Sequence, residues 1–255
     1  MKKNFLTIKK LEDNINFGFF KSVGGVSKGT YASLNCSKSS KDNKNSINKN
    51  IIIAKNKLGI GKKKLKIINQ IHSNKIFFIN NKNYKNEYYG DGLVTKEKNI
   101  ALAILTADCA PIFIFDIQKN FICCLHAGWK GALSEIIKKS IIKLKNKRIK
   151  SKNMVAVIGP CLGFKNFEVD KNFKLDFIKK DTSYMQFFKS KNKNKDLFNL
   201  RSLINFQLKK AGMKNVYNIN RDTYKNGHIF FSHRRSSHQN KIKTGRMINI
   251  ISFRD

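Results

Sequence analysis

Cys109 and His126 stand in two short stretches, Thr106-Ala107-Asp108-Cys109-Ala110-Pro111 and Leu125-His126-Ala127-Gly128-Trp129-Lys130-Gly131, each following an apolar run that reads as a buried strand. A rigid scaffold holds a thiol and an imidazole well at strand ends. His72, in Asn69-Gln70-Ile71-His72-Ser73, again follows an apolar pair. One Cys and two His converging on one ion, with a coordination position left open, would suit a catalytic zinc site. The three lie far apart in the chain, so only the fold can bring them together. Asp108 beside the thiol and Lys130 beyond the imidazole put charge where apolar strands end, an expensive arrangement unless it serves something. Gly128 and Gly131 leave room for a ligand to approach backbone N–H groups, and a helix beginning near Leu133 would favour an anion such as phosphate.

Three further stretches carry chemical groups. Ile158-Gly159-Pro160-Cys161-Leu162-Gly163, followed by Glu168, reads either as a tight turn presenting Cys161 to a cleft or as a turn around a buried thiol. Phe230-Phe231-Ser232-His233-Arg234-Arg235 reads as an aromatic strand ending in two guanidinium groups, and Arg235 with Arg246 could clamp a phosphate. Gly24-Gly25-Val26-Ser27-Lys28-Gly29-Thr30 lacks the Gly-Lys-Ser/Thr ending of a phosphate-binding P-loop and reads as a plain hairpin or connection. The zinc deaminase signature, which needs His-x-Glu and Pro-Cys-x-x-Cys, is absent.

The elements that must position these groups are short. Leu65–Ile68, Ile76–Ile79, Ile100–Leu105, Ile112–Phe115, Phe121–Leu125 and Val155–Ile158 are apolar runs rich in Ile, Val and Phe, and read as strands. Helical spacing covers Leu133–Leu144 and, more weakly, Leu200–Leu208; a helix is also expected over about Ile47–Leu58. The intermixing lacks regular βαβ alternation, so we expect an α/β fold, one domain over residues 1–255 with mixed β-sheets flanked by helices. Five cysteines without framework spacing point to a reduced, cytoplasmic protein. Lys9 and Lys10 interrupt the basic start Met1–Lys10 before a signal peptide's apolar region can form, and no stretch is long enough to span a membrane. The formal net charge of +36 would suit nucleic acid, but Lys is enriched together with Asn, Ile and Phe, as coding drift would do, so no specific nucleic-acid partner is expected.

Taken in order, these stretches resemble the YfiH-like family, long labelled laccase-domain or polyphenol oxidase and also known as purine nucleoside phosphorylase or peptidoglycan editing factor. The resemblance runs through Gly25-Val26-Ser27 to Ser33-Leu34-Asn35, Gln70-Ile71-His72, Asp91-Gly92-Leu93, Ala107-Asp108-Cys109, His126-Ala127-Gly128-Trp129, Ile158-Gly159-Pro160-Cys161, Glu168-Val169, Leu200-Arg201, Ser232-His233-Arg234-Arg235 and Thr244-Gly245-Arg246. It implies an α/β/β sandwich and zinc ligands at His72, Cys109 and His126, with copper as a substitute. It also implies a catalytic region that includes Asp108, and substrate or phosphate contacts drawn from Lys130, Arg235, Arg246, Cys161, Glu168 and Asn35. The activity implied is phosphorolysis of purine nucleosides by phosphate, with adenosine deamination as a second reaction; a monomer is expected. Where the family often carries Arg, Asp-Leu and Cys-Thr, this chain has Lys130, Asn199-Leu200 and Asp222-Thr223. A four-copper oxidase centre needs roughly ten imidazoles, and the chain has five His, so that cluster is excluded. Rival readings are a hydrolase editing peptidoglycan precursors at the same site and, from another class, a basic nucleic-acid-binding protein.

Overall fold

The structure is a computed structural model that describes residues 3–13, 15–147, 154–241 and 243–254. Met1 and Lys2 of the basic start lie outside the described residues. In chain order the elements are β1 (Phe5–Leu6), β2 (Ile15–Phe20), α1 (Lys44–Lys57), β3 (Lys64–Ile67), β4 (Ile76–Ile79), β5 (Gly92–Thr95), β6 (Ile100–Thr106), β7 (Ala110–Asp116) and β8 (Ile122–Ala127). They continue with α2 (Trp129–Leu133), α3 (Ile136–Asn146), β9 (Met154–Ile158), β10 (Glu168–Asp170), α4 (Lys171–Lys180), β11 (Phe188–Ser190), β12 (Lys195–Phe198), α5 (Leu200–Lys210), β13 (Asn215–Asn218), α6 (His233–His238) and β14 (Met247–Phe253).

The described strands form a five-stranded sheet, β1-β2-β14-β6-β3, a six-stranded sheet, β13-β9-β7-β8-β5-β4, and a small sheet, β10-β12-β11. Both large sheets mix parallel and antiparallel pairs, as the irregular order of elements predicted. The inner strands β6, β7 and β8 are buried on both faces, which is why they read as continuous apolar runs. Alternate residues divide the work. Phe113, Phe115, Cys124 and Val157 of the six-stranded sheet meet Phe17, Phe19, Leu102 and Ile251 of the five-stranded one. Ile112, Ile114, Cys123 and Ala156 face the other way, toward α3 and α5. The outer side of the five-stranded sheet, through Ala101, Ala103 and Ile250, receives α1. The result is the expected α/β/β sandwich, with helices on both outer faces.

Two expectations change. The Leu133–Leu144 spacing spans two helices, because Glu135 adopts a left-handed conformation (φ 62°) that separates α2 from α3. Leu133 keeps phase with the pattern because it packs on the same core as α3. The helix beside the site is therefore the five-residue α2, too short to supply the anion-attracting N-terminus of a long helix. The aromatic segment before Arg234 is not a strand either: Ser232 is extended and its hydroxyl accepts from Arg235 N, capping α6. Asn199 similarly caps α5 by accepting from Ser202 N, a role that Asp serves equally well.

The two large sheets approach closely at Gly159, just beyond β9. A Cβ there would lie 2.3 Å from Phe19 Cδ1 and 2.8 Å from Pro111 Cγ, while Phe19 stacks on Phe113 with ring centroids 4.5 Å apart. Gly159→Ala is expected to destabilise the protein by about 1–3 kcal/mol through overpacking. Urea unfolding checks this; an unchanged midpoint would contradict the packing argument.

Candidate metal centre

The polar motifs gather at one end of the sandwich because the strands that carry them run to that end. Ala110 opens β7, opposite Ala127 at the close of β8, and Ile158 at the close of β9 lies beside Ile112. His126 sits inside β8, opposite Pro111, and not beyond the strand. Gln70 explains how His72 arrives. Its side chain accepts from Leu105 N (2.7 Å) and donates to Leu105 O (2.8 Å), clipping the loop after β3 to the last turn of chain before Cys109. The loop then turns through a left-handed His72 (φ 57°).

His72, Cys109 and His126 each offer a ligand atom, and these atoms lie within 4.8 Å of one another. Among the described residues they form the one such group. Cys109 Sγ is 3.9 Å from His72 Nε2, and the two imidazoles meet edge to face with centroids 4.9 Å apart. His126 is buried, Cys109 half-buried and His72 exposed, so the group opens to solvent on the His72 side. A Cβ on Gly128 would stand 2.8 Å from Cys109 Sγ and 3.3 Å from His72 Cδ2, so glycine is what lets the backbone pass beneath the ligands.

His126 Nδ1 donates to Asp91 Oδ1 at 2.7 Å, which leaves Nε2 as the ring nitrogen that could ligate an ion. Burial works against a charged His126, but the Cys109 thiolate and the Asp91 carboxylate outweigh it and push the imidazole up to about 9. Burial likewise raises the Cys109 thiol, yet the His126 and His72 imidazoles outweigh it and bring it down to about 6. Asp91 is held below the usual carboxylate range: burial opposes ionisation, and His126 and Ser73 overcome it. A thiolate and two imidazole nitrogens this close, with a carboxylate behind one ring, form a donor set that fits a metal ion with borderline-soft preferences. This group could hold a metal.

The remaining candidates divide. Asp108, at φ 89°, accepts from Thr223 Oγ1 and from Arg234 N, both at 2.6 Å, while its carbonyl accepts from Leu162 N. Both carboxylate oxygens are thus committed to bracing the turn that carries Cys109. Lys130 is exposed in α2, with Nζ 5.4 Å from the centre of the Trp129 ring. Arg246 is half-buried; its guanidinium makes a 3.5 Å contact with Ser37 Oγ.

Arg235, expected as a phosphate clamp, directs Nη1 to the carbonyls of Thr223 and Tyr224 and Nη2 to that of Phe230. Three of its five donors brace a loop. Arg234 is similarly occupied, with Nη1 donating to Glu168 O at 2.9 Å and the guanidinium over the Phe167 ring. Cys161 is a buried turn thiol, held by Arg201 Nη2 at 3.2 Å; burial raises it despite the Arg201 charge. Glu168 pairs with Lys191 on the surface of the small sheet.

Asn35 is fully buried. Its Oδ1 accepts from Ser37 N and Arg246 N and its Nδ2 donates to Ser40 and Asp42, so it ties the 22–37 loop to the start of β14. The Gly-rich part of that loop is a connection pinned by Asn50 of α1; a Cβ on Gly25 would lie 2.5 Å from Asn50 Oδ1. Asp222, where the resembled family often has Cys, accepts from Gly163 N, Tyr224 N and Asn166 Nδ2, bonds a thiol could not make together.

Asp91 was missed as a site residue, although the Asp-Gly-Leu motif marked its position. A carboxylate after Tyr88-Tyr89-Gly90 gives no spacing signal toward a histidine 35 residues away.

Cys109 should be the reactive thiol of the metal-free protein. At pH 7 iodoacetamide is expected to alkylate it ahead of Cys36, Cys123, Cys124 and Cys161, all buried and all raised by burial. Its rate should fall as pH drops through about 6 and the thiolate protonates. Peptide mapping by mass spectrometry checks both; equal labelling of the five would contradict the geometry.

Residues 16–254 match the model of the family described as multi-copper polyphenol oxidoreductase laccase. A Rickettsia conorii protein named purine nucleoside phosphorylase is 37% identical over 173 residues, covering 68% of this chain and 71% of its own. A Haemophilus influenzae protein of the same name is 27% identical over 232 residues, 90% of this chain and 91% of its own. In solved structures, a Neisseria meningitidis protein of the DUF152 family superposes with a TM-score of 0.88 at 28% identity, over 99% of this chain and all of that one. Bacillus licheniformis YfiH shares the fold, with a TM-score of 0.89 at 24% identity over 99% of this chain and 97% of its own. No helix among the described residues is long and apolar enough to cross a membrane. With all but its first fifteen residues and its last inside the match, the chain belongs to the laccase-like, YfiH-type family.

Proposed function

We propose that this protein, acting as one catalytic domain, is a zinc-dependent purine nucleoside phosphorylase that converts adenosine, inosine, guanosine or methylthioadenosine and phosphate to the free base and the ribose 1-phosphate. The observation that carries the reading is the open His72-Cys109-His126 group in a chain whose relatives bear that enzyme's name. In the reaction a phosphate oxygen forms a bond to C1′ of the ribose as the bond from C1′ to the purine nitrogen breaks; the base departs with the electron pair and takes up a proton.

His72, Cys109 and His126 would hold the zinc, which would supply positive charge beside the reacting anion. Lys130, exposed two residues beyond Gly128, is the cation best placed in sequence to attract phosphate to that opening, and Arg246, half-buried with its guanidinium 3.5 Å from Ser37 Oγ, is the second. Arg235 drops out of that role because the backbone engages it. Asp108 acts as a positioning residue, since Thr223 and Arg234 occupy its carboxylate. The same open group motivates adenosine deamination as a second activity, read as ammonia release.

Incubation of the purified, zinc-loaded protein with inosine and phosphate should yield hypoxanthine and ribose 1-phosphate. Cys109→Ala should lower turnover by about 100-fold or more, since losing a ligand exceeds the roughly 10–100-fold cost of losing an outer partner. Lys130→Met should raise the KM for phosphate by roughly 10-fold with a smaller change in kcat, as loss of binding common to ground and transition states does. Absence of both products with the loaded protein would overturn the assignment.

A further inference from the structure

We infer that Asp91 is the positioning residue of the metal centre, one buried carboxylate that sets both histidine ligands at once. The inference rests on the metal-binding reading of His72, Cys109 and His126. Asp91 is completely buried. Its Oδ1 accepts from the His126 ring at Nδ1 (2.7 Å) and from the backbone N of His72 (3.1 Å). Its Oδ2 accepts from Ser73 N (2.5 Å), Ser73 Oγ (2.8 Å) and, more distantly, Ile71 N (3.4 Å). Its own carbonyl also accepts from His126 N at 2.8 Å, so the residue grips the second ligand by backbone and by ring.

Every one of these contacts is a donor pointing at Asp91. A carboxylate satisfies them because it only accepts. Three successive backbone N–H groups, those of Ile71, His72 and Ser73, converge on it, and this convergence is what bends the loop so that a left-handed His72 presents its ring toward Cys109. On the other side, the bond to Nδ1 fixes His126 in the tautomer that keeps Nε2 for the ion. The two imidazoles come from segments more than fifty residues apart in sequence, and one side chain holds the distance between them. Asn in its place would turn an amide NH2 toward N–H donors, so the substitution removes the function with almost no change of volume.

The test uses cobalt(II) as the probe ion with wild type, Asp91→Asn and Ser73→Ala. Affinity is measured by competition with a chromophoric chelator and geometry by the visible absorption of the cobalt–thiolate centre. Asp91→Asn is expected to bind cobalt roughly 10–100-fold more weakly and with an altered spectrum. Ser73→Ala removes one hydroxyl donor and keeps the carboxylate, so it should stay within a few-fold of wild type. Nitrogen-15 histidine spectra of the zinc-loaded wild type should show His126 bearing its proton at Nδ1 and metal at Nε2, a readout that does not depend on a variant folding. Asp91→Asn binding within twofold of wild type, or metal at Nδ1 of His126, would overturn the inference while leaving the metal centre intact. A wild-type protein that takes up no cobalt or zinc would overturn the metal reading itself, and this inference with it.

Discussion

The chain changes sheets between β6 and β7 in three residues, Ala107, Asp108 and Cys109, and much of the molecule is arranged around that crossing. β6 pairs with β14 and β3 in one sheet, while β7 pairs with β8 and β9 in the other. So short a link between stacked sheets demands an unusual backbone, and Asp108 supplies it in a left-handed conformation (φ 89°). The strain is held by bonds from three directions: Thr223 and Arg234 donate to the Asp108 carboxylate, and Leu162 N to its carbonyl. The loops after β9 and β13 and the start of α6 are thereby drawn to the seam. Cys109 is the next residue, so its position follows from the sheet crossing.

Charge at this end of the sandwich is organised by burial. Asp91 and Asp108 are buried carboxylates whose contacts are all donors, which is the condition under which a buried charge is tolerated. Without a metal, the Cys109 thiolate and the His126 imidazolium neutralise each other in the same region. An ion held there would take the place of a proton on His126 and would meet a thiol already inclined to ionise. By contrast, many surface lysines serve local ends, such as Lys171 with Asp196 and Lys210 with Asp181.

Several elements were readable because their signal is local. β3, β4, β6, β7, β8 and β9 match apolar runs, and α1 and α5 match the expected helices with ends displaced by no more than three residues. The central strand β14 was passed over, although Met247–Phe253 is apolar but for Asn249 and Ser252, because it follows a basic, turn-rich stretch and its partners, β2 and β6, lie more than 140 residues away. The small sheet and α4 were missed for a related reason: Phe167, Phe173, Phe177 and Phe198 build one aromatic cluster from segments whose Lys-rich surroundings hide any periodicity.

Residue types by themselves determined that the chain has a thiol and imidazoles that could serve one borderline-soft ion and too few imidazoles for a multi-copper cluster, since donor chemistry and counting need no geometry. They also determined that apolar runs of strand length would form the core. Which polar residues surround the His72-Cys109-His126 group was decided by tertiary structure alone. Arg235 and Asn35 look like substrate contacts in a sequence, yet backbone groups brought by other loops claim their donors and acceptors. Asp91 looks like a turn residue and becomes the brace between His72 and His126. The reason is physical: a side chain's role depends on which partners reach it first, and those partners are set by how the two sheets stack.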